Sequence, residues 1–313
     1  MAFFSGVCTS TVRLDGKIAI ITGCNTGIGK VTAKDFFERG AKVIMACRNK
    51  TKATAAANDI KDSCKSKQNL GELVVTELDL SSLKSVKNCA KIIMDQENKI
   101  DLLINNAGVM TCPESRTEDR FEMQFGTNHL GHFLFTLLLL PKIAQSPSAR
   151  IVNVSSRAHE RGTIDFNDLN WNNKPYSALK AYAQSKLANI LFTMELARQL
   201  AEANMNHITV YSLHPGVIKT ELGRHLKDTY GAFLVYLWDL CQWAIKTPEQ
   251  GAQTTIYCSV DEKCATESGL YYADCVLKKP SKAARNKEDA KRLWIESLKL
   301  VDLPDNYMPF NKI

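Results

Sequence analysis

Tyr182 and Lys186 stand four residues apart. A phenol keeps its proton to a pH near 10 unless positive charge nearby stabilises the phenolate. A lysine one helical turn away supplies that charge on the same face. A phenol so poised suits hydride chemistry at carbon, because removing hydride from an alcohol also removes a proton and reducing a carbonyl requires one. The spacing alone is not selective, since Tyr176 and Lys180 repeat it. The two pairs are offset by about 240° around a helix, so they cannot face one site. The second is preferred: it runs into the apolar stretch 187–191, whereas Tyr176 follows Pro175 at the entry to the helix.

Two further polar groups are candidates for the same site. Ser155 and Ser156 end an apolar segment, where a hydroxyl can bond the reacting oxygen and stabilise charge that develops on it. Asn128, within the helical pattern 125–132, is placed to hold a water near the lysine.

A second constellation lies near the N-terminus. The apolar segment 17–22 runs directly into Thr22-Gly23-Cys24-Asn25-Thr26-Gly27-Ile28-Gly29. Glycines between a strand and a helix let the backbone approach a pyrophosphate, which the free N–H groups of the helix start attract. A phosphate-binding P-loop is excluded, because the glycines are spaced wrongly and Val31 follows Lys30. The next strand ends in Ala46-Cys47-Arg48-Asn49-Lys50, which has no carboxylate to bind a ribose 2′-hydroxyl. Arg48 instead suits a 2′-phosphate, so NADP(H) is the expected cofactor. Asp79 and Leu80 follow the third strand and are placed to flank the adenine, and Asn106, Ala107 and Gly108 follow the fourth.

These groups need a scaffold that brings strand ends to one edge. Apolar strands at 17–22, 42–47, 72–77, 100–105, 150–155, 208–213 and near 270–272 alternate with helical patterns, including long ones at 119–140 and 177–203. Nearly continuous apolar strands separated by helices predict a parallel sheet covered on both faces, hence a doubly wound α/β fold. With no repeat or linker, the 313 residues read as one domain, 1–313. The chain has a net charge of +7, and its ten cysteines lack metal-ligand spacing and read as reduced core thiols. No recognised nucleic-acid module occurs, and no apolar run is long enough to span a bilayer.

Taken together, Thr22-Gly23-x3-Gly27-Ile28-Gly29, Asn105-Asn106-Ala107-Gly108, Asn128, Ser156, Tyr182-x3-Lys186 and Pro215-Gly216 resemble the classical short-chain dehydrogenase/reductases, in order and over nearly the whole chain. The resemblance implies a Rossmann sheet of seven parallel strands in the order 3-2-1-4-5-6-7. It also implies a catalytic Asn128–Ser156–Tyr182–Lys186 tetrad. In that scheme Tyr182 is the acid/base, Lys186 holds the nicotinamide ribose and lowers the tyrosine pKa, Ser156 orients the substrate oxygen, and Asn128 supports the proton relay. Pro215, Gly216, Val217 and Thr220 would complete the cofactor site, and no metal is implied.

The segments Ala46-Cys47-Arg48, Asn128-His129-Leu130-Gly131-His132-Phe133, Ser185 to Asn189, Leu213 to Gly216 and Lys246 to Thr254 further resemble the microsomal retinol dehydrogenase subgroup. That likeness implies NADP(H) and a lipophilic alcohol or aldehyde of the retinol/retinal type. A steroid or ecdysteroid ketone reductase, or a general carbonyl reductase, is the alternative, and a catalytically silent NADP-binding scaffold is the non-enzymatic one.

The aromatic stretch from Tyr230 to Trp243 is expected to form a helical flap, about 220–246, over an apolar pocket. A C-terminal helix is expected at about 284–301. The run Lys278, Lys279, Lys282, Arg285, Lys287, Lys291 and Arg292 suits peripheral contact with anionic lipid. The subgroup carries an N-terminal membrane anchor, whereas this sequence begins close to its first strand. The expected location is therefore intracellular, in the cytoplasm or attached to the cytosolic face of a membrane without a transmembrane segment. A homodimer through the helices at 119–140 and 177–203 is the family-level expectation.

Overall fold

The structure is a computed structural model that describes residues 5–218, 246–305 and 307. Eight strands form one sheet in the order β3-β2-β1-β4-β5-β6-β7-β8. They are β1 (Ile18–Thr22), β2 (Lys42–Cys47), β3 (Glu72–Glu77), β4 (Leu102–Asn105), β5 (Ala149–Val154), β6 (Ile208–His214), β7 (Leu270–Ala273) and β8 (Val276–Leu277). The first seven pair in parallel as expected. The two-residue β8 is an addition, folding back antiparallel on β7 through a turn in which Asp274 and Cys275 both have positive φ.

The parallel sheet explains why its strands read as apolar throughout. Ile20, Ile44, Leu103, Ile151 and Val210 point to one face and pack with helices α3 (Leu83–Gln96), α4 (Gly131–Ile143), α5 (Ala178–Glu202) and α7 (Lys287–Leu300). Their neighbours Ile21, Met45, Ile104, Val152 and Tyr211 point to the other, against α1 (Gly27–Glu38), α2 (Lys50–Ser63) and α6 (Pro248–Val260). The strand order reverses between β1 and β4, and ligands of such sheets bind where their carboxyl ends diverge. The glycine loop, Arg48, Asp79 and Asn106 all lie at that edge.

Two expectations change in detail. The continuous helix expected over 119–140 is instead a short turn, Met123–Phe125, a π turn, Gly126–Leu130, and α4. Glu122 starts the turn by accepting from the amides of Gln124 and Phe125. The C-terminal helix is shorter than 284–301, with a separate 3₁₀ turn at Ala283–Arg285 before Asn286 caps α7. The expected flap and Thr220 lie outside the described residues, apart from Lys246.

Helix α7 packs across α4 and α5. Trp294 lies with its ring 5.1 Å from that of Phe133 and 6.1 Å from that of Phe192, and Ser297 Oγ meets His129 Nε2 at 2.8 Å. A second copy would have to displace α7 to reach that part of the two helices. Among the described residues nine cysteines are free, as expected, and no helix is long and apolar enough to cross a membrane.

Candidate active site

A cleft of about 420 Å³ opens at the switch point, lined by Gly23, Asn25, Thr26, Gly27, Ile28, Gly29, Arg48, Asp79, Leu80, Asn106, Ala107 and Gly108. Its floor requires glycine. Gly23 has φ +63°, and a side chain there would meet Ala107 at 2.7 Å; at Gly29 one would meet Asn106 Nδ2 at 2.6 Å and the carbonyl of Gly23 at 2.7 Å. The side chain of Asn106 fastens this loop by donating to the carbonyl oxygens of Thr22 and Gly23 at 2.9 and 3.2 Å. Thr22 reciprocates, its hydroxyl accepting from the amides of Asn106 and Ala107 at 3.0 and 2.9 Å. Helix α1 starts at Gly27. It has no side-chain cap and no acidic residue in its first turn, so its amides stay available to an anion.

The catalytic candidates lie at the carboxyl end of β5 and on α5. The structure separates the serine pair: Ser155 Oγ is buried and donates to the carbonyl of Lys186 at 2.6 Å. Ser156 caps a 3₁₀ turn, Arg157–Arg161, by accepting from the amide of Ala158 at 3.2 Å. Burial pushes the Tyr182 phenol up to about 12, while a hydrogen bond with Ser156 pulls the other way. Lys186 Nζ lies 5.8 Å from the centre of the Tyr182 ring and donates to the carbonyl of Val154 at 3.0 Å. Burial brings its pKa down to about 8.

Asn128 is tied to two neighbours through its side chain. Its Oδ1 accepts from the amide of Val109 at 2.8 Å, while Nδ2 donates to the Val109 carbonyl and to Ser185 Oγ, both at 2.9 Å. Its own carbonyl accepts from His132 Nδ1 at 3.0 Å, the tautomer set because a carbonyl cannot donate. The side chain therefore fixes the loop after β4.

A family model described as short chain dehydrogenase matches residues 17–231. The chain belongs to the short chain dehydrogenase family. It is 48% identical over 300 residues to retinol dehydrogenase 11 of Homo sapiens, covering 96% of this chain and 90% of that protein. Among solved structures, an uncharacterised protein of Mycobacterium paratuberculosis is 35% identical with a TM-score of 0.74, covering 95% of this chain and 97% of that one. A 3-ketoacyl-(acyl-carrier-protein) reductase of Brucella melitensis, complexed with NADH, is 25% identical with a TM-score of 0.62, covering 83% and 96%. This short chain dehydrogenase is thus an oxidoreductase of CH–OH groups, and its cofactor is a nicotinamide nucleotide.

Residues that sequence reasoning missed also line the cleft of this dehydrogenase. Lys52 and Asn49 line the cleft beside Arg48, whereas Lys50 points to a separate depression against Val74, Val75 and Ile92. The missed signal was the helix cap: Asn49 Oδ1 accepts from the amide of Lys52, which starts α2 at Lys50 and turns Lys52 toward the cleft. No hydrogen bond or ion pair among the described residues engages the Arg48 guanidinium or the Lys52 ammonium. Pro215, Gly216 and Val217 follow β6, where Gly216 has φ +102° and Lys246, paired with Asp274, crosses over it. The loop cannot carry a side chain at Gly216 without displacing that lysine.

The rejected tyrosine has a structural place. The Tyr176 hydroxyl donates toward Glu122 Oε1 at 3.1 Å and the Cys112 carbonyl at 3.2 Å, and accepts from Gln124 Nε2 at 2.9 Å. Burial and the neighbouring Glu122 carboxylate both raise its pKa.

Proposed function

We propose that this dehydrogenase uses NADP(H) to interconvert a lipophilic alcohol and its aldehyde or ketone, with a retinol- or retinal-like substrate. The observation that carries the cofactor reading is the pair of unengaged cations, Arg48 and Lys52, at a cleft rim where no carboxylate follows β2. Two cations there favour a 2′-phosphate by charge-assisted hydrogen bonds. The substrate class rests on the 48% identity to a protein named for retinol.

The cradle fits the cofactor: glycines wherever a side chain would close the floor, and free amides at the start of α1. Gly23 to Gly29 would take the pyrophosphate, Asp79 and Leu80 the adenine side, and Asn106 to Gly108 with Pro215 to Val217 the nicotinamide side. When bound, the cofactor supplies or accepts the hydride. The chain supplies the proton path. Ser156 and Tyr182 bind the substrate oxygen by hydrogen bonds, and the Tyr182 hydroxyl gives its proton to that oxygen as a carbonyl is reduced, or takes one from an alcohol. Lys186, charged below about pH 8, stabilises the phenolate left behind. Asn128 keeps Val109 and Ser185 in place around them.

The exposed Val276 and Leu277, followed by exposed Lys278, Lys279 and Lys282, support peripheral contact with anionic lipid.

Retinal and a panel of ketosteroids, each incubated with NADPH or NADH while cofactor absorbance is followed, test the reading. Faster turnover of retinal with NADPH is expected. Turnover confined to ketosteroids would favour the steroid alternative, and NADPH binding without consumption of any carbonyl would favour a silent scaffold.

A further inference from the structure

His159 sits in the 3₁₀ turn that follows Ser156 and is 1% exposed. Its Nδ1 lies 2.7 Å from the Ser156 carbonyl oxygen, and its Nε2 lies 3.2 Å from the amide nitrogen of Ser281. A carbonyl only accepts and an amide N–H only donates, so the two partners select one state of the ring: neutral, with the proton on Nδ1. The Ser156 carbonyl also accepts from the His159 amide at 3.1 Å, so the residue grips it twice. An edge-on contact with Tyr271 of β7, 5.0 Å between ring centres, fixes the ring plane. Ser281 is itself anchored, its hydroxyl accepting from the amide of Ala284 at 3.3 Å.

We infer that His159 is a positioning residue that ties the C-terminal segment at Ser281 to the backbone of Ser156 and thereby sets the distance between the Ser156 hydroxyl and Tyr182. The inference rests on the proposed roles of Ser156 and Tyr182. Among the described residues no other hydrogen bond joins the turn to the C-terminal segment. The Ala158 amide bonds the Ser156 hydroxyl itself and moves with the turn, whereas the imidazole links that turn to a different part of the fold.

Two substitutions separate the halves of the clamp. His159→Asn keeps a donor near the Nδ1 position and loses the reach to Ser281. His159→Gln keeps an acceptor near the Nε2 position and loses the bond to Ser156. A reacting group displaced by about 1 Å loses on the order of 10²-fold in rate. Either substitution cuts the tie at one end, so each should lower kcat for carbonyl reduction about 10- to 100-fold while changing NADPH affinity less than about twofold. Hydrogen–deuterium exchange supplies a readout independent of turnover: segment 155–162 should exchange faster in both variants than in the parent.

Parental kcat together with parental exchange at 155–162 in either folded variant would overturn the inference. If the parent protein reduced no carbonyl, the functional reading would fall on its own. Exchange would then decide the clamp, with unchanged protection at 155–162 in His159→Gln counting against it.

Discussion

The ammonium of Lys186 donates to the carbonyl oxygen of Val154 at 3.0 Å, joining α5 to the end of β5 and holding a charge beside the phenol of Tyr182. The same carbonyl accepts from Asn189 Nδ2 at 3.2 Å, so it keeps a partner if the lysine is removed. Lys186→Met should consequently lower turnover by at least about 10²-fold without lowering the melting temperature. The pKa of Lys186 is depressed from 10.5 to about 8 by burial, so across that window the unfolded chain binds the extra proton and parental stability rises with pH. The variant should lack that rise. Denaturant titrations at pH 7.5 and 10 (both conditions of the assay) check the point, and a rise that survives the substitution would refute it.

The same two groups set a pH profile. Tyr182 is pushed up to about 12 and so remains protonated where Lys186 begins to lose its charge. Carbonyl reduction uses the protonated phenol and a charged lysine, so its kcat should be flat below about pH 8 and decline above it. Initial rates with saturating NADPH between pH 6 and 10 measure this. A rate that climbed through that range would contradict the roles given to both residues.

Tyr182→Phe and Tyr176→Phe should part cleanly. The first removes the proposed proton donor and should cost about 10²- to 10⁴-fold in turnover with NADPH affinity retained. The second removes the hydroxyl that donates toward Glu122, a buried carboxylate whose pKa burial raises. It should cost about 1–2 kcal/mol of stability and leave turnover within a few-fold. Calorimetry alongside steady-state rates distinguishes them, and the reverse assignment would show that the wrong tyrosine was chosen.

Much of this was legible in the residues because period and punctuation carried it. The Ile-rich 17–22 segment ending in glycines announced both a buried parallel strand and the loop after it, and the registers of β1 through β7 follow. Local signals misled where hydrogen bonding overrode periodicity. The helical pattern around Asn128 hid a π turn, because apolar spacing does not reveal an extra residue in a turn. The side-chain amide of Asn128 bonds Val109 and Ser185, partners that only the tertiary fold brings close. Lys52 carried no signal of its own, because what turns it toward the cleft is the cap at Asn49. His159 left only a Ser-x-x-His spacing, whose meaning depends on Ser281, far away in sequence.

Arg48 and Lys52 should act together on one phosphate. Alanine at either should weaken NADPH about 10- to 100-fold, the worth of a charge-assisted hydrogen bond of about 1.5–3 kcal/mol. NADH, lacking the 2′-phosphate, should bind almost unchanged. Both cations are exposed, so the loss should also shrink at high salt, where exposed charges are screened. Fluorescence titrations with both cofactors test this, and equal losses for NADPH and NADH would mean that the two cations only shape the cleft.

Trp294 gives the last test, because it decides what covers the outer side of α4 and α5. Its indole is 5% exposed and meets Phe133 edge-on and Phe192 stacked, so Trp294→Ala should cost about 3–5 kcal/mol, the range for emptying a large buried site. Ser297→Ala should cost about 1 kcal/mol by leaving His129 Nε2 without its partner. If α7 occupies this face in solution, the parent protein cannot pair through it, and any dimer it forms must use another surface. Light scattering of the parent and of both variants, paired with thermal unfolding, measures each part. A parent dimer that dissociates on Trp294→Ala with no loss of monomer stability would place the tryptophan between two chains and refute its role as an internal cover. A large loss of stability at unchanged mass is the result that the packing of α7 demands.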